Sequence, residues 1–315
     1  KEKIKGAISF QMSPCGKKLV YVTKSDSLYS VGLLELGKPN GISWIVERSV
    51  DDLKTLTWEK QGRAFSFISK NTVFSRKSLL FYYRIDNHSL YTLEPEKQMG
   101  FPRDRTLDNQ SFVFHTITIS DDLNSVFMGI GPILKRAKLE PKTNQKSAVE
   151  IWNGNDKLLY PGQQLNDRFE DWPILARWSP LSGEFTQISS ALLPDGMLAG
   201  NGQYAVLSNP EAYEPQFDRE GPRDYYLVNL LSGDKEILLQ NQPSNFLEVP
   251  KPSPGGKYIT YIRNNKFFIY NILSKTHKEV TGYKIDKLLE KGHLVGWTLD
   301  DKEVILADQY DLWIA

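Results

Sequence analysis

Two segments near opposite ends of the chain carry one pattern. Ser13-Pro14-Cys15-Gly16-Lys17-Lys18-Leu19-Val20-Tyr21 and Ser253-Pro254-Gly255-Gly256-Lys257-Tyr258-Ile259-Thr260-Tyr261 share Ser-Pro-x-Gly-Lys-x-aliphatic-x-Tyr. Proline and glycine punctuate the backbone as a turn, and the β-branched and aromatic residues after them read as a strand. In the second copy, alternation puts Tyr258, Thr260 and Ile262 on one face and Ile259 and Tyr261 on the other. Arg263-Asn264-Asn265-Lys266 then makes a polar hairpin turn, Phe267 to Ile272 a second strand, and Ser274-Lys275-Thr276 turns into a third. Three or four strands that are apolar on both faces do not stand alone in water. The unit needs neighbours of its own kind.

The chain supplies them. Weaker copies of the turn and strand run from Thr57 to Phe67, Ile119 to Phe127, Gly200 to Leu207 and Trp297 to Leu306. Neighbouring copies are mostly about 45 to 60 residues apart, the repeat length of propeller blades. A following hairpin recurs too, in Leu79 to Leu93 with Asp86-Asn87 at its turn, Leu175 to Ile188 with Ser182-Gly183, and Asp224 to Gln240 with Ser232-Gly233. The fold expected is all-β: a β-propeller of four-stranded meander blades, about six to seven in number. Residues 1–315 form one domain in this reading, with the last blade unfinished at Ala315. Irregular insertions are expected near 131–147, 162–173 and 209–223; the last is Pro- and charge-rich, a surface loop of the kind that carries binding residues.

Charge narrows the function. Lys+Arg number 39 and Asp+Glu 38, which gives no electrostatic argument for nucleic acid or an anionic membrane as partner. No apolar run approaches the ~18 residues of a membrane span. Cys15 is the only cysteine, so no intrachain disulfide forms. That suits a reducing compartment and equally a periplasmic protein built without disulfides; the location expected is periplasmic or secreted.

Motifs of catalysis are sparse. Gly-x-Ser-x-Gly does not occur, so there is no nucleophile elbow. His88, His115, His277 and His293 are scattered, without the paired spacing of metal ligands. Gly129-Ile130-Gly131-Pro132 begins like a dinucleotide loop, lacks the third glycine and reads as a turn. Asp121-Asp122 and Asp300-Asp301 fall in the repeat's turn position, where aspartate bonds its own backbone. The candidate binding residues are Glu170, Asp171, Glu211 and Glu214, carboxylates of the irregular segments able to meet a basic group. No catalytic residue, metal ligand or cofactor is assigned.

Gly296-Trp297-Thr298-Leu299-Asp300-Asp301, followed by Asp308-Gln309-Tyr310-Asp311-Leu312-Trp313, resembles a segment of the β-propeller in prolyl oligopeptidase-like serine peptidases, particularly large bacterial ones. Glu150-Ile151-Trp152-Asn153-Gly154-Asn155-Asp156-Lys157-Leu158 with Gln163-Gln164 is similar to another, departing at Asn153-Gly154, where that family tends to place an aromatic. The Ser-Pro-x-Gly-Lys units are similar to the repeats of that propeller and of the TolB propeller. The resemblance implies a propeller seated over an α/β-hydrolase domain of the same polypeptide, with the catalytic Ser, Asp and His in that domain and none carried over here. It also implies further propeller after Trp313. The function implied is non-catalytic: a domain gating or positioning peptide substrate for the hydrolase. The alternative is a free-standing TolB-like propeller binding a protein partner as a scaffold. A glycan-acting propeller is a third class and requires converging carboxylates.

Overall fold

The computed structural model describes residues 3–38, 41–70, 78–108, 116–133, 172–215, 221–245, 248–264, 266–280, 293–307 and 311–315. Regular structure among them is β-strand, apart from two 3-10 turns at Gly200–Gly202 and Leu299–Asp301. The strands form six antiparallel sheets, taken up one after another, with spatial order following chain order. The first contains β1 (Ala7–Met12), β2 (Lys18–Ser25), β3 (Leu28–Glu35) and β4 (Ile42–Ser49). The second contains β5 (Asp52–Trp58), β6 (Ala64–Lys70), β7 (Leu79–Arg84) and β8 (Ser89–Leu93). In the third, β10 (Thr118–Ile119), β11 (Val126–Pro132), β12 (Ile174–Ser179) and β13 (Glu184–Gln187) are joined by a fifth strand, β9 (Arg105–Leu107), paired to the far half of β11. The fourth contains β14 (Asp195–Ala199), β15 (Tyr204–Ser208), β16 (Arg223–Asn229) and β17 (Lys235–Gln242). The fifth contains β18 (Lys251–Pro252), β19 (Tyr258–Arg263), β20 (Lys266–Asn271) and β21 (Thr276–Glu279), and the sixth β22 (His293–Trp297), β23 (Val304–Ala307) and β24 (Leu312–Ile314). Two compact units divide them, Lys1–Arg136 with Pro173–Ile188 and Ala137–Trp172 with Ser189–Ala315, so that each holds three sheets.

Central strands are buried on both faces, as the two-sided apolar pattern requires. In β6, Phe65 and Phe67 pack with Val20, Val22, Val31 and Leu33 of the first sheet. Ala64 and Ile68 of the same strand pack the other way, with Ile119, Val126 and Met128 of the third. The fifth sheet repeats this: Ile259 and Tyr261 join a cluster with Val206, Tyr225 and Leu227 of the fourth, while Ile262 joins Val304 and Leu306 of the sixth. Gly129-Ile130-Gly131-Pro132 corrects the sequence reading. It is strand, the end of β11, with Ile130 fully buried and paired to Leu107 and Ile174. Its glycines replace side chains on a strand flanked on both edges.

One turn design opens each sheet. Backbone N–H groups of Ser13, Glu59, Ser120, Ser253 and Thr298 each donate to the carbonyl five residues on, at 2.8–2.9 Å; Ala199 and Tyr204 pair at the same spacing. The residue three places on carries positive φ every time: Gly16, Gly62, Leu123, Gly202, Gly256 and Asp301. Four-residue hairpin loops built on a type I turn need such a left-handed residue to rejoin the strand; in the fourth and sixth sheets the residue before it, Asn201 or Asp300, is left-handed too. Ser13, Ser120, Ser253 and Thr298 also accept, on their hydroxyls, the N–H five residues on, at 2.9–3.0 Å. That bond is why serine heads the repeat.

Glycine at these positions answers different demands. A Cβ on Gly16 (φ +69°) meets nothing within 4 Å, whereas on Gly256 (φ +77°) it would lie 2.5 Å from the Asn201 backbone nitrogen. Gly16→Ala is expected to cost only the left-handed strain of about 1–2 kcal/mol, and Gly256→Ala that strain plus overpacking, roughly 2–5 kcal/mol. Urea denaturation of the two variants checks the order.

Candidate functional site

Within each unit the opening turns of neighbouring sheets lie against one another, and they hold the buried Ser13, Glu59, Ser120, Ser253 and Asp301. In the first unit, the Trp58 indole N–H donates to the Gln11 carbonyl at 3.1 Å and the Tyr82 hydroxyl to the Leu123 carbonyl at 3.0 Å. Glu59 has a fully buried carboxylate. It accepts the Arg63 backbone N–H at 3.1 Å and the Arg63 guanidinium at 2.9 and 3.4 Å. Arg63 in turn donates to the Asp121 carbonyl of the third sheet. Burial alone would raise the Glu59 carboxyl, but the Arg63 side-chain and backbone donors outweigh it and hold the group below its usual range. Asp122 behaves alike: burial raises it, while the Ser120 hydroxyl and the Asn124 N–H and carboxamide lower it further.

In the second unit, the Asn201 carboxamide donates to the Gly255 carbonyl at 3.0 Å. Asp301, 3% exposed, extends its carboxylate from the sixth sheet to the fifth and accepts Ser253 Oγ, Gly255 N and Lys257 N at 2.5, 2.7 and 3.1 Å. Tyr258 and Trp297 stack beside it, ring centroids 5.2 Å apart. Asp122 fits the self-bonding turn role expected from sequence, accepting the Asn124 N–H at 3.0 Å. Asp301 serves its neighbour instead. The signal was an aspartate at the left-handed position where the other turns mostly carry glycine.

A cavity of about 430 Å³ opens among the first unit's turns, with Cys15, Lys18, Arg63, Arg84, Asp86 and Asp122 on its wall. Arg84 is held by Asp86, Nε to Oδ1 at 3.0 Å. Of the carboxylates singled out by sequence, Glu170 and Asp171 lie outside the described residues. Glu211 and Glu214 sit half-buried on one turn, the Glu211 N–H donating to Asn209 Oδ1 at 2.8 Å and the Glu214 N–H to the Glu211 carbonyl at 3.3 Å. Tyr213 ties this turn to β16 through Asp224 Oδ1 at 2.7 Å. The expected insertions coincide in part with undescribed residues, 134–147, 162–171 and 216–220.

No family model and no curated protein matches the sequence. Among solved structures, the chain is similar to Porphyromonas gingivalis dipeptidyl peptidase 4, with a TM-score of 0.54 and 12% identity over 100% of this chain and 46% of that one. The β-propeller of these repeats is therefore shared at the level of fold. The chain is a β-propeller. It is also similar to the β-propeller domain of the trilobed protease from Pyrococcus furiosus (TM-score 0.40, 10% identity, 99% of this chain and 82% of that one) and to TolB from Acinetobacter baumannii (0.35, 13%, 88% and 54%). The propeller spans about half the length of the TolB and dipeptidyl peptidase structures. Among its described residues, no helix is long and apolar enough to cross a membrane.

Because the folded Glu59 carboxyl lies below its unfolded value, its stabilisation is full above the ordinary glutamate range, about 4.3, and fades as pH falls through the folded value. Glu59→Gln is expected to cost roughly 1–3 kcal/mol at neutral pH, discounted for the half-open Arg63, and to flatten the loss of stability in acid. Urea midpoints measured from neutral pH into the acid range check both.

Proposed function

We propose that this propeller is the accessory domain of a prolyl oligopeptidase-like serine peptidase, gating or positioning peptide substrate for an α/β-hydrolase domain outside residues 1–315. The observation that carries the reading is the match of the whole chain to less than half of a dipeptidyl peptidase, at a TM-score of 0.54. The Gly296 to Asp301 segment supports it, standing where the sixth blade grips the fifth. The domain acts sterically: an opening through stacked sheets passes flexible peptides and rejects folded proteins. Rigidity is what such a filter needs, and turns locked blade to blade provide it. Glu211 and Glu214 offer carboxylates on a turn anchored by Tyr213, where a peptide's basic group can be received. A periplasmic or secreted location accords with this work.

The reading predicts that the coding sequence continues past Ala315 into an α/β-hydrolase with a Gly-x-Ser-x-Gly elbow. The longer polypeptide cleaves peptides and is stopped by a serine-reactive inhibitor, while residues 1–315 alone cleave none. Inhibitor-sensitive turnover by the pure 315-residue chain overturns the proposal, and a stop codon soon after Ala315 favours the free-standing scaffold.

A further inference from the structure

The opening turn sets which face of a blade looks back at the blade before it. Phe65 and Phe67 of the second sheet, Ile259 and Tyr261 of the fifth, and Val304 and Leu306 of the sixth hold the same two places after the head of their turns. Each pair packs on the preceding sheet, and all of these side chains are buried. The turn makes a second contact in the same direction. A Cβ on Gly62 would lie 3.3 Å from Ser13 Cβ, one on Gly256 2.5 Å from the Asn201 nitrogen, and Asp301 bonds Ser253.

The first sheet carries both features and neither is met. The two places are Leu19 and Tyr21. Register aligns Phe10, Tyr21, Gly32 and Trp44 across all four strands, on the side away from the second sheet. Tyr21 lies across Gly32, where a Cβ would sit 2.4 Å from its ring, and Trp44 meets Tyr21 edge-on at 5.9 Å. Phe10 is 73% exposed, and Met12, Trp44 and Ile42 are exposed on the same face. At the turn, a Cβ on Gly16 meets nothing within 4 Å. A contiguous apolar face of this kind marks a contact surface, and a sheet apolar on both sides needs a neighbour on each.

We propose that this face docks a further blade of the same design, contributed by polypeptide outside residues 1–315. The head of its opening turn lies against Gly16, and an apolar strand face lies against Phe10, Tyr21 and Trp44. Continuity with the other blade contacts selects this occupant. Face and turn are vacant together, and in the second, fifth and sixth sheets one neighbouring blade fills both. A docked blade does not require a hydrolase, so the peptidase reading can fail while this one holds.

Hydroxyl-radical footprinting read by mass spectrometry tests it, each rate normalised to the same residue in the urea-unfolded polypeptide. On residues 1–315, Phe10, Met12 and Trp44 are expected to oxidise as exposed side chains at every protein concentration. On the longer polypeptide that the gene encodes, Phe10 oxidation is expected to fall at least about fivefold, as its exposure drops from 73% toward that of the buried Phe65 and Phe67. Phe10→Asp should lower the thermal midpoint of the longer polypeptide and leave that of residues 1–315 unchanged. Protection already present in residues 1–315 overturns the proposal, and protection that grows with concentration assigns the face to a second copy instead. Equal exposure in the two polypeptides, or a gene that encodes no further repeat, overturns it as well. A further repeat with Phe10 protected, in a gene without a hydrolase, supports the docked blade and removes only the peptidase reading.

Discussion

Each sheet opens with a short loop closed by a left-handed residue, and in the second, fifth and sixth sheets that residue packs against the turn of the preceding sheet. The rest of the fold follows from this coincidence. An N–H donating five residues on fixes the loop length, the loop length fixes the register of the first two strands, and register decides which side chains reach each face. A slip of one residue in β19 would send Ile259 and Tyr261 away from the fourth blade and Ile262 away from the sixth. The turns and the two-sided cores are one constraint seen at two distances.

The buried polar groups fit the same scheme. Glu59 and Asp301 stand at different places in their turns, yet both satisfy donors that stacking would otherwise strand. Asp301 bonds directly to the fifth sheet, and Glu59 holds Arg63, which reaches the third, so directional bonds set how these sheets meet. The apolar clusters supply the driving force. Serine at the head of the turn serves its own loop, capping the N–H five residues on. Threonine does the same in the sixth blade; where no hydroxyl heads the turn, in the second and fourth, a carboxylate or a glycine-rich loop stands instead.

Much of this was legible in the sequence. Ser-Pro-x-Gly-Lys marks two turns outright, and alternation gave the faces of β19 as they are found. Other features leave no local trace. β9 is three residues long, too short for periodicity, and exists because β11 extends past β10 and offers it an edge. Gly129 and Gly131 read as turn because glycine usually breaks strands, and pairing on both sides overrides that preference. The reach of Asp301 into another blade depends on a neighbour 48 residues away. Glu211 and Glu214 were visible as carboxylates in a loop, while the Tyr213–Asp224 anchor that fixes their turn comes only with the coordinates.

The claim that interlocked turns fasten blade to blade is tested most directly by a double-mutant cycle between Ser253 and Asp301, read by urea denaturation. The account predicts a coupling of about 1–3 kcal/mol between Ser253→Ala and Asp301→Ala. Additive losses, with no coupling beyond error, would show that the two turns are merely adjacent and contradict it.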